Sequence, residues 1–381
     1  MIAAFTIVAI GLIAWHHLAW PLLLARLARR LPSSPASSAD LPSVTLVMPA
    51  HNEAGFMAAK IRNLAALDYP LDRLRVVIAC DGCTDATASI AREALALTGL
   101  DAVVVEHARN RGKVAVLNEA IGAARSEIVA LSDVSAMLPP DALRRAGAWF
   151  SDASLGAVGG TYALDRPGSA GEAAYWAMQT AVKRGEAALG APLGMHGAFW
   201  AFRRQAWMPV AADTINDDFI MPMHMMLCGW GLAYDPAIVV REAERSDPAL
   251  DARRRRRIAA GNAQQLVRCL ALLHPRHGGV ALSFASGKAL RVLMPFIVAV
   301  ALLGTLVLAP SSTVFMVLAI CEAAAIVLAA CGALLGTRAP RPLAVLHYAA
   351  AGSLASLMGV ARYVLKGQRR PWRRAADPLR A

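Results

Sequence analysis

Long apolar runs open and close this chain, and between them short apolar runs alternate with polar and amphipathic stretches. Ile2 to Leu24 carries almost no charge, and the same holds for Val292 to Leu308, Thr313 to Leu335, and Leu343 to Tyr348 continuing to Val360. About 20 apolar residues at 1.5 Å each cross a hydrocarbon layer ~30 Å thick, so these runs predict membrane helices. The middle reads differently. Val44-Thr-Leu-Val-Met48 breaks into Pro49-Ala-His-Asn-Glu53, and Leu74-Arg-Val-Val-Ile-Ala79 runs through Cys80 into Asp81-Gly-Cys-Thr-Asp85. Val103–Glu106 and Glu127–Leu131 read as further strands, with a helix from Val114 to Ala124 between them. This rhythm predicts an α/β domain with an open sheet, whose ligands bind at the carboxyl ends of the strands where strand order reverses. A proline stop followed by acceptor side chains at such an end suits a nucleotide, whose ribose hydroxyls and base imide offer donors.

Composition agrees with membrane helices around the α/β domain. Of 381 residues, 57% are hydrophobic, and the mean hydropathy of +0.45 exceeds what a soluble α/β domain needs. The first apolar run lacks a basic segment before it, and Arg26, Arg29 and Arg30 follow it instead. It therefore reads as a retained anchor rather than a signal peptide, with its far end in the cytoplasm. The expected organisation is an anchor over 1–31, a Pro/Ser linker over 32–42, and a cytoplasmic domain over 43–275. C-terminal transmembrane or interfacial helices over 276–366 and a basic tail over 367–381 complete it. The expected location is the inner (plasma) membrane, with several passes. One conflict stands: three complete C-terminal spans would leave Lys366-Gly-Gln-Arg-Arg-Pro-Trp-Arg-Arg374 outside, against the positive-inside rule. Either one segment is interfacial or re-entrant, or the rule fails here.

The net charge of +12 invites a nucleic-acid reading, but the positive charge sits beside apolar spans and in one run, Arg253 to Arg257, without aromatic interleaving. Anionic headgroups and a diphosphate account for it, and no nucleic-acid partner is expected. Cys80 and Cys83 form a C-x-x-C pair, yet the other four cysteines stand too far apart to complete a zinc site. Small thiols in a reducing cytoplasm are the expected reading.

The loop Arg109-Asn-Arg-Gly-Lys113 offers cations and a glycine turn for a diphosphate. Asp133, in Ser132-Asp-Val-Ser135, is a natural ligand for Mg²⁺ or Mn²⁺ beside such a group. In this order these motifs, with Gly156-Ala-Val-Gly-Gly160, Gly194-Met-His-Gly-Ala-Phe-Trp-Ala-Phe-Arg-Arg204 and Asn216-Asp-Asp-Phe219, resemble the membrane-bound, inverting family 2 glycosyltransferases of GT-A fold. The resemblance covers residues 43–265. It implies a Rossmann-like nucleotide-diphospho-sugar transferase domain flanked by transmembrane helices. It further implies a nucleotide-sugar donor, a UDP-sugar by family, and a membrane-associated acceptor such as a lipid-linked glycan or glycolipid.

By the same resemblance, Pro49, Glu53 and Asp81 hold the nucleoside, and Lys113 touches the nucleotide or its diphosphate. Asp133 holds the metal, and Arg257 is the phosphate-facing arginine. Asp218 corresponds to the general base, while Asp217 orients the loop or helix start, although either carboxylate can act as base. His196, Gly197 and Ala198 belong to the acceptor-side loop.

The sequence departs from the family at two places. The second acid of the D-x-D motif is Ser135, which implies weakened metal dependence. The Q-x-x-R-W motif of processive synthases has Arg254 for its glutamine and Ile258 for its tryptophan, so the aromatic platform for a growing chain is missing. Single-sugar transfer is favoured over processive polymer synthesis, because pyranose stacking needs an aromatic face. A nucleotide-binding membrane scaffold with a degenerate transferase domain stays open as the other class.

Overall fold

A computed structural model of the chain describes residues 1–31, 34–35, 40–165, 170–244 and 248–366. The basic tail, most of the linker and the side chains of residues 253–256 lie outside the described residues. The chain forms two compact units. One comprises Met1–Leu23, Ala252–Leu273 and Ala281–Gly367, and the other is built on Leu24–Asp251 with His274–Val280.

The second unit holds the expected α/β fold. Its strands are β1 (Val44–Ala50), β2 (Leu74–Asp81), β3 (Asp101–His107), β4 (Ile128–Ser132), β5 (Ala136–Met137), β6 (Leu155–Leu164), β7 (Phe199–Arg203) and β8 (Gly231–Glu242). They form one eight-stranded sheet in the order β3-β2-β1-β4-β7-β6-β8-β5. Every residue of β1 is buried, as expected of a parallel strand covered on both faces, which reads as a continuous apolar run. Each fully buried Leu, Val or Met there contributes about 1.5–3 kcal/mol. The outermost strand, β3, is only half-buried.

β1 is flanked in parallel by β2 and β4, so the order reverses beside β1 and a crevice opens at the strands' carboxyl ends. Beyond β4 the sheet changes direction. β7 runs antiparallel to β4, with Ser132 opposite Phe199, which brings the segment before β7 next to the end of β4. β6 pairs antiparallel with β7, and β8 runs parallel to β6. β5 begins four residues after β4 ends, yet it pairs with the end of β8 through Ala136 and Glu242. The sheet therefore curls into a half-barrel, and the short link from Ser132 to Ala136 bridges its middle and its last strand.

Among the described residues, four helices are long and apolar enough to cross a membrane: Ile2–Arg30, Gly279–Ser311, Thr313–Leu335 and Arg341–Ala361. Their outward residues are apolar; Phe5, Leu306 and Val314 are each more than 60% exposed, as a lipid-facing surface requires. A side chain at Gly304 would overlap Thr6, so the helices carrying them lie in close contact. Glu322, an acid inside an apolar helix, accepts a hydrogen bond from Thr305 Oγ1 at 2.5 Å, which satisfies it within the bundle.

Candidate active site

The crevice begins where β1 and β2 end. Pro49 sits within β1 opposite Ala79, and the chain then turns through His51 and Asn52 into the helix Ala54–Ala65, with Glu53 at its cap. His51 Nδ1 donates to the Asp81 carbonyl at 2.7 Å, and Thr84 N donates to Asn52 Oδ1 at 2.8 Å. Glu53 N donates to Thr87 Oγ1 at 2.7 Å. These bonds tie the two strand ends into one surface. Cys80 is buried and Cys83 half-buried, and neither is bridged.

Asp81 is fully buried. Its carboxylate accepts from Arg111 N at 2.7 Å and from Gly112 N at 2.8 Å. Hydrogen bonds to a charged acceptor contribute about 1.5–3 kcal/mol each, so this acid shapes the Arg109–Lys113 loop. Gly82, at φ +60°, lies so near the loop that any side chain would overlap the Asn110 backbone.

The helix Lys113–Ala123 starts at the crevice behind Gly112. Lys113 Nζ donates to Asp133 Oδ1 at 3.0 Å and lies 3.9 Å from Asp217 Oδ2. Burial by itself would lower the lysine's pKa, but Asp133 and Asp217 outweigh it and hold it above the ordinary value. Asp217 and Asp218 open the helix Asp217–Leu227, where acids suit the positive end of the helix dipole. Asp217 is buried and Asp218 half-buried. Asp218 Oδ2 and Asp133 Oδ2 each stand 3.5 Å from where a Cβ on Gly197 would be, and Lys113 Nζ stands 3.8 Å from it. The two carboxylates thus lie no more than twice that first distance apart, around a gap that a hydrogen side chain leaves open.

The loop before β7 forms the other wall. Met195 N donates to the Asp218 carbonyl at 2.7 Å, and the Ala198 carbonyl accepts from Ser132 Oγ at 2.9 Å. His196 stacks on Tyr162, with ring centroids 4.2 Å apart and planes 4° apart, and Trp176 lies 5.2 Å from the imidazole. Beside them opens a small cleft of about 40 Å³ that Gln179, Lys183 and Tyr234 also line. Of the residues expected from the sequence, the structure gathers Lys113, Asp133, Asp217, Asp218 and Gly197 at one point, with His196 and Ala198 in the adjoining wall. Pro49, Glu53 and Asp81 lie at the ends of β1 and β2. Arg257 is exposed on the helix Pro248–Arg268 and belongs to the other compact unit.

Two charged residues are not singled out by the sequence motifs. Lys60 is fully buried; its ammonium donates to Ser132 Oγ at 2.7 Å and to the Ala136 carbonyl. It occupies the apolar stripe Met57, Ile61, Leu64, and a lysine on that face is the one signal that marks it. Glu242 follows Ile238 and Val240 on the inward face of β8, all three buried, and an acid in that alternation is a signal too.

Among the described residues no three His, Cys, Asp or Glu side chains form a metal cage. A Mg²⁺ or Mn²⁺ ion beside a diphosphate needs none, because one or two carboxylates and the phosphate oxygens hold it. Asp133, whose side chain is 39% exposed, with the half-buried Ser135 two residues on, offers hard oxygen donors that fit such an ion.

Comparison with known proteins agrees with this geometry. Residues 42–261 match the family model for glycosyltransferase like family 2. Over 213 residues the chain is 28% identical to a beta-monoglucosyldiacylglycerol synthase of Synechocystis sp., covering 53% of this chain and 44% of that protein. Over 205 residues it is 26% identical to a poly-beta-1,6-N-acetyl-D-glucosamine synthase of Staphylococcus aureus, covering 52% and 49%. The chain thus spans about half the length of the curated relatives it matches. In fold it is similar to a mannosyltransferase from Pyrobaculum calidifontis in complex with GDP-Man and Mn²⁺, with a TM-score of 0.73 and 23% identity over 96% of this chain and 100% of that one. The chain belongs to glycosyltransferase family 2, and its α/β unit is a GT-A domain.

Proposed function

We propose that the protein transfers a single sugar, with inversion, from a nucleotide-sugar donor to a membrane-associated acceptor such as a lipid-linked glycan or glycolipid. The observation that carries this reading is the gathering of Lys113, Asp133 and Asp218 around the gap at Gly197. A UDP-sugar is the donor that the family resemblance favours. The ends of β1 and β2, with Pro49, Glu53 and Asp81, receive the nucleoside, and the loop that Asp81 shapes lies along the diphosphate.

Asp218 takes the acceptor hydroxyl's proton as the oxygen attacks the anomeric carbon, and such a base contributes about 10²–10⁴ in rate. Asp217, buried against Lys113, orients the start of the helix. Lys113 neutralises the departing nucleoside diphosphate. A divalent ion at Asp133 would supply further charge compensation there when bound. One displacement inverts the centre, so an α-linked donor gives a β-linked product. Both curated relatives are named for β-linked products.

The loop of His196, Gly197 and Ala198 takes the acceptor. Ile258 in place of an aromatic residue favours one transfer per encounter over chain elongation.

The test is nucleoside diphosphate release by the detergent-purified protein with UDP-, GDP- and dTDP-sugars and Mn²⁺, with and without membrane lipid extract. Release from one donor, stimulated by the extract and reduced at least about a hundredfold in Asp218→Asn with donor binding kept, is the expected result. Nucleotide binding without release from any donor would move the reading to a membrane scaffold.

A further inference from the structure

The helix Ala170–Ala188 carries Lys183 and Glu186 three residues apart, a spacing that puts both on one face. Glu186 is 2% exposed, and a carboxylate is seldom buried that deeply unless a cation and a hydrogen-bond donor receive it. Both are present. Lys183 Nζ stands 3.5 Å from Glu186 Oε2, and the same oxygen accepts from Leu193 N at 2.9 Å. The ammonium in turn donates to the Leu193 carbonyl and, at 2.9 Å, to the Gly194 carbonyl. The pair therefore grips the loop before β7 with three hydrogen bonds to backbone.

That loop reaches the base. Gly194, at φ +77°, lies so near the start of the helix Asp217–Leu227 that a side chain would overlap Phe219. One residue on, Met195 N donates to the Asp218 carbonyl at 2.7 Å. Two residues further, Gly197 leaves the gap that the Asp218 carboxylate faces. A run of bonded groups thus leads from Lys183 and Glu186 through Leu193, Gly194 and Met195 to Asp218. The helix that carries the pair is itself backed. On another of its faces, Gly185 is so close to the Leu24 carbonyl that a side chain there would overlap it.

We infer that Lys183 and Glu186 are positioning residues for sugar transfer, fixing the loop before β7 and, through it, the placement of the Asp218 carboxylate. The inference rests on the transferase reading above, in which Asp218 is the base. A segment with glycines at 190, 194 and 197 has little stiffness of its own. Its position has to come from bonds made by a rigid element, as a preorganised site requires. The demand is steep, since a misplacement of about 1 Å can cost on the order of a hundredfold in rate.

The experiment compares Glu186→Leu, which removes the acceptor for Leu193 N, with Glu186→Gln, which keeps an oxygen there. The full chain in detergent is assayed with Mn²⁺, membrane lipid extract and the sugar nucleotide that the donor screen identifies. Glu186→Leu is expected to lower kcat at least about tenfold while donor KM stays within about twofold, and Glu186→Gln to keep most of kcat. Hydrogen exchange across residues 191–197 is expected to quicken in the first variant and not in the second. In the Asp218→Asn background, Glu186→Leu is expected to cost no further turnover, because groups that act as a unit do not add. Wild-type kcat in folded Glu186→Leu, a rise in donor KM matching the fall in kcat, or a second full loss in the Asp218→Asn background each overturns the inference and leaves the transferase reading intact. Full turnover in Asp218→Asn, or no donor turned over by the wild type, overturns both. If Glu186→Leu does not fold, Lys183→Met, which removes the bonds to the Leu193 and Gly194 carbonyls, decides between the same outcomes in the same assays.

Discussion

The ammonium of Lys113, at the first residue of its helix, lies 3.0 Å from Oδ1 of Asp133, just past the end of β4. Each carries its side chain to the carboxyl edge of the sheet, and Asp133 and Asp217 hold the ammonium in its charged form. Lys113→Met is expected to raise the donor KM at least about tenfold and to lower kcat, since it removes a point charge from the leaving group. Lys113→Arg is expected to rescue little, because a planar fork does not fit where an ammonium meets two carboxylates. Steady-state kinetics with varied donor check this, and unchanged kinetics in Lys113→Met would remove the residue from the donor site.

Gly197 keeps the centre of the site open. A methyl group there would sit in ordinary contact with Asp133, Asp218 and Lys113, so Gly197→Ala is expected to fold with an unaltered melting temperature. It would nonetheless fill the space between the charged groups and slow transfer by about tenfold or more, since small displacements of reacting groups cost that much. Paired melting curves and turnover numbers test this. Full turnover in a folded variant would place the reacting atoms elsewhere.

Asp81 acts on the loop as well as on any nucleoside. Asp81→Asn would turn one of its two acceptors into a donor facing a backbone N–H. Faster hydrogen exchange at Arg111 and Gly112 is expected in the nucleotide-free protein, together with weaker UDP binding. Weaker binding with unchanged exchange would assign Asp81 to the nucleoside alone.

Lys60 supplies a pH signature. Burial lowers its pKa to about 7 from 10.5, against the pull of Asp133 and Glu242. Between those values the unfolded chain carries a proton there that the folded chain does not. Stability therefore rises with pH across that window, by up to about 1.4 kcal/mol per unit, and is lost again as pH falls toward 7. The melting temperature of the wild type minus that of Lys60→Met is expected to grow between pH 7 and about 9.5. A flat difference would mean that the amine stays charged in the fold.

Much of this was legible in the chain because local patterns carried it. β1 and β2 are continuous apolar runs that stop at polar clusters, and the structure puts strands there, lengthened by one or two residues at their carboxyl ends. The apolar helices needed only length and composition. The motif acids Asp133, Asp217 and Asp218 stood out through their order along the chain. Lys60 and Glu242 did not, since a single charge inside an apolar stripe looks like noise until its partners are known. The antiparallel β7 and the return of β5 to β8 were invisible for a related reason: pairing between strands far apart in sequence leaves no local periodicity.

The sequence alone determined the groups on offer: strand ends closed by polar clusters, a lysine and acids in the motifs after them, long apolar helices, and a serine at position 135 in place of a second acid. Those properties reside in residue identity and short-range spacing. Only the tertiary structure decided which charges meet. Curling of the sheet brings Glu242 to Ala136 across more than a hundred residues, and the two helix starts bring Lys113 to Asp217. A contact of that kind is set by strand order and register, and no stretch of the chain encodes it by itself.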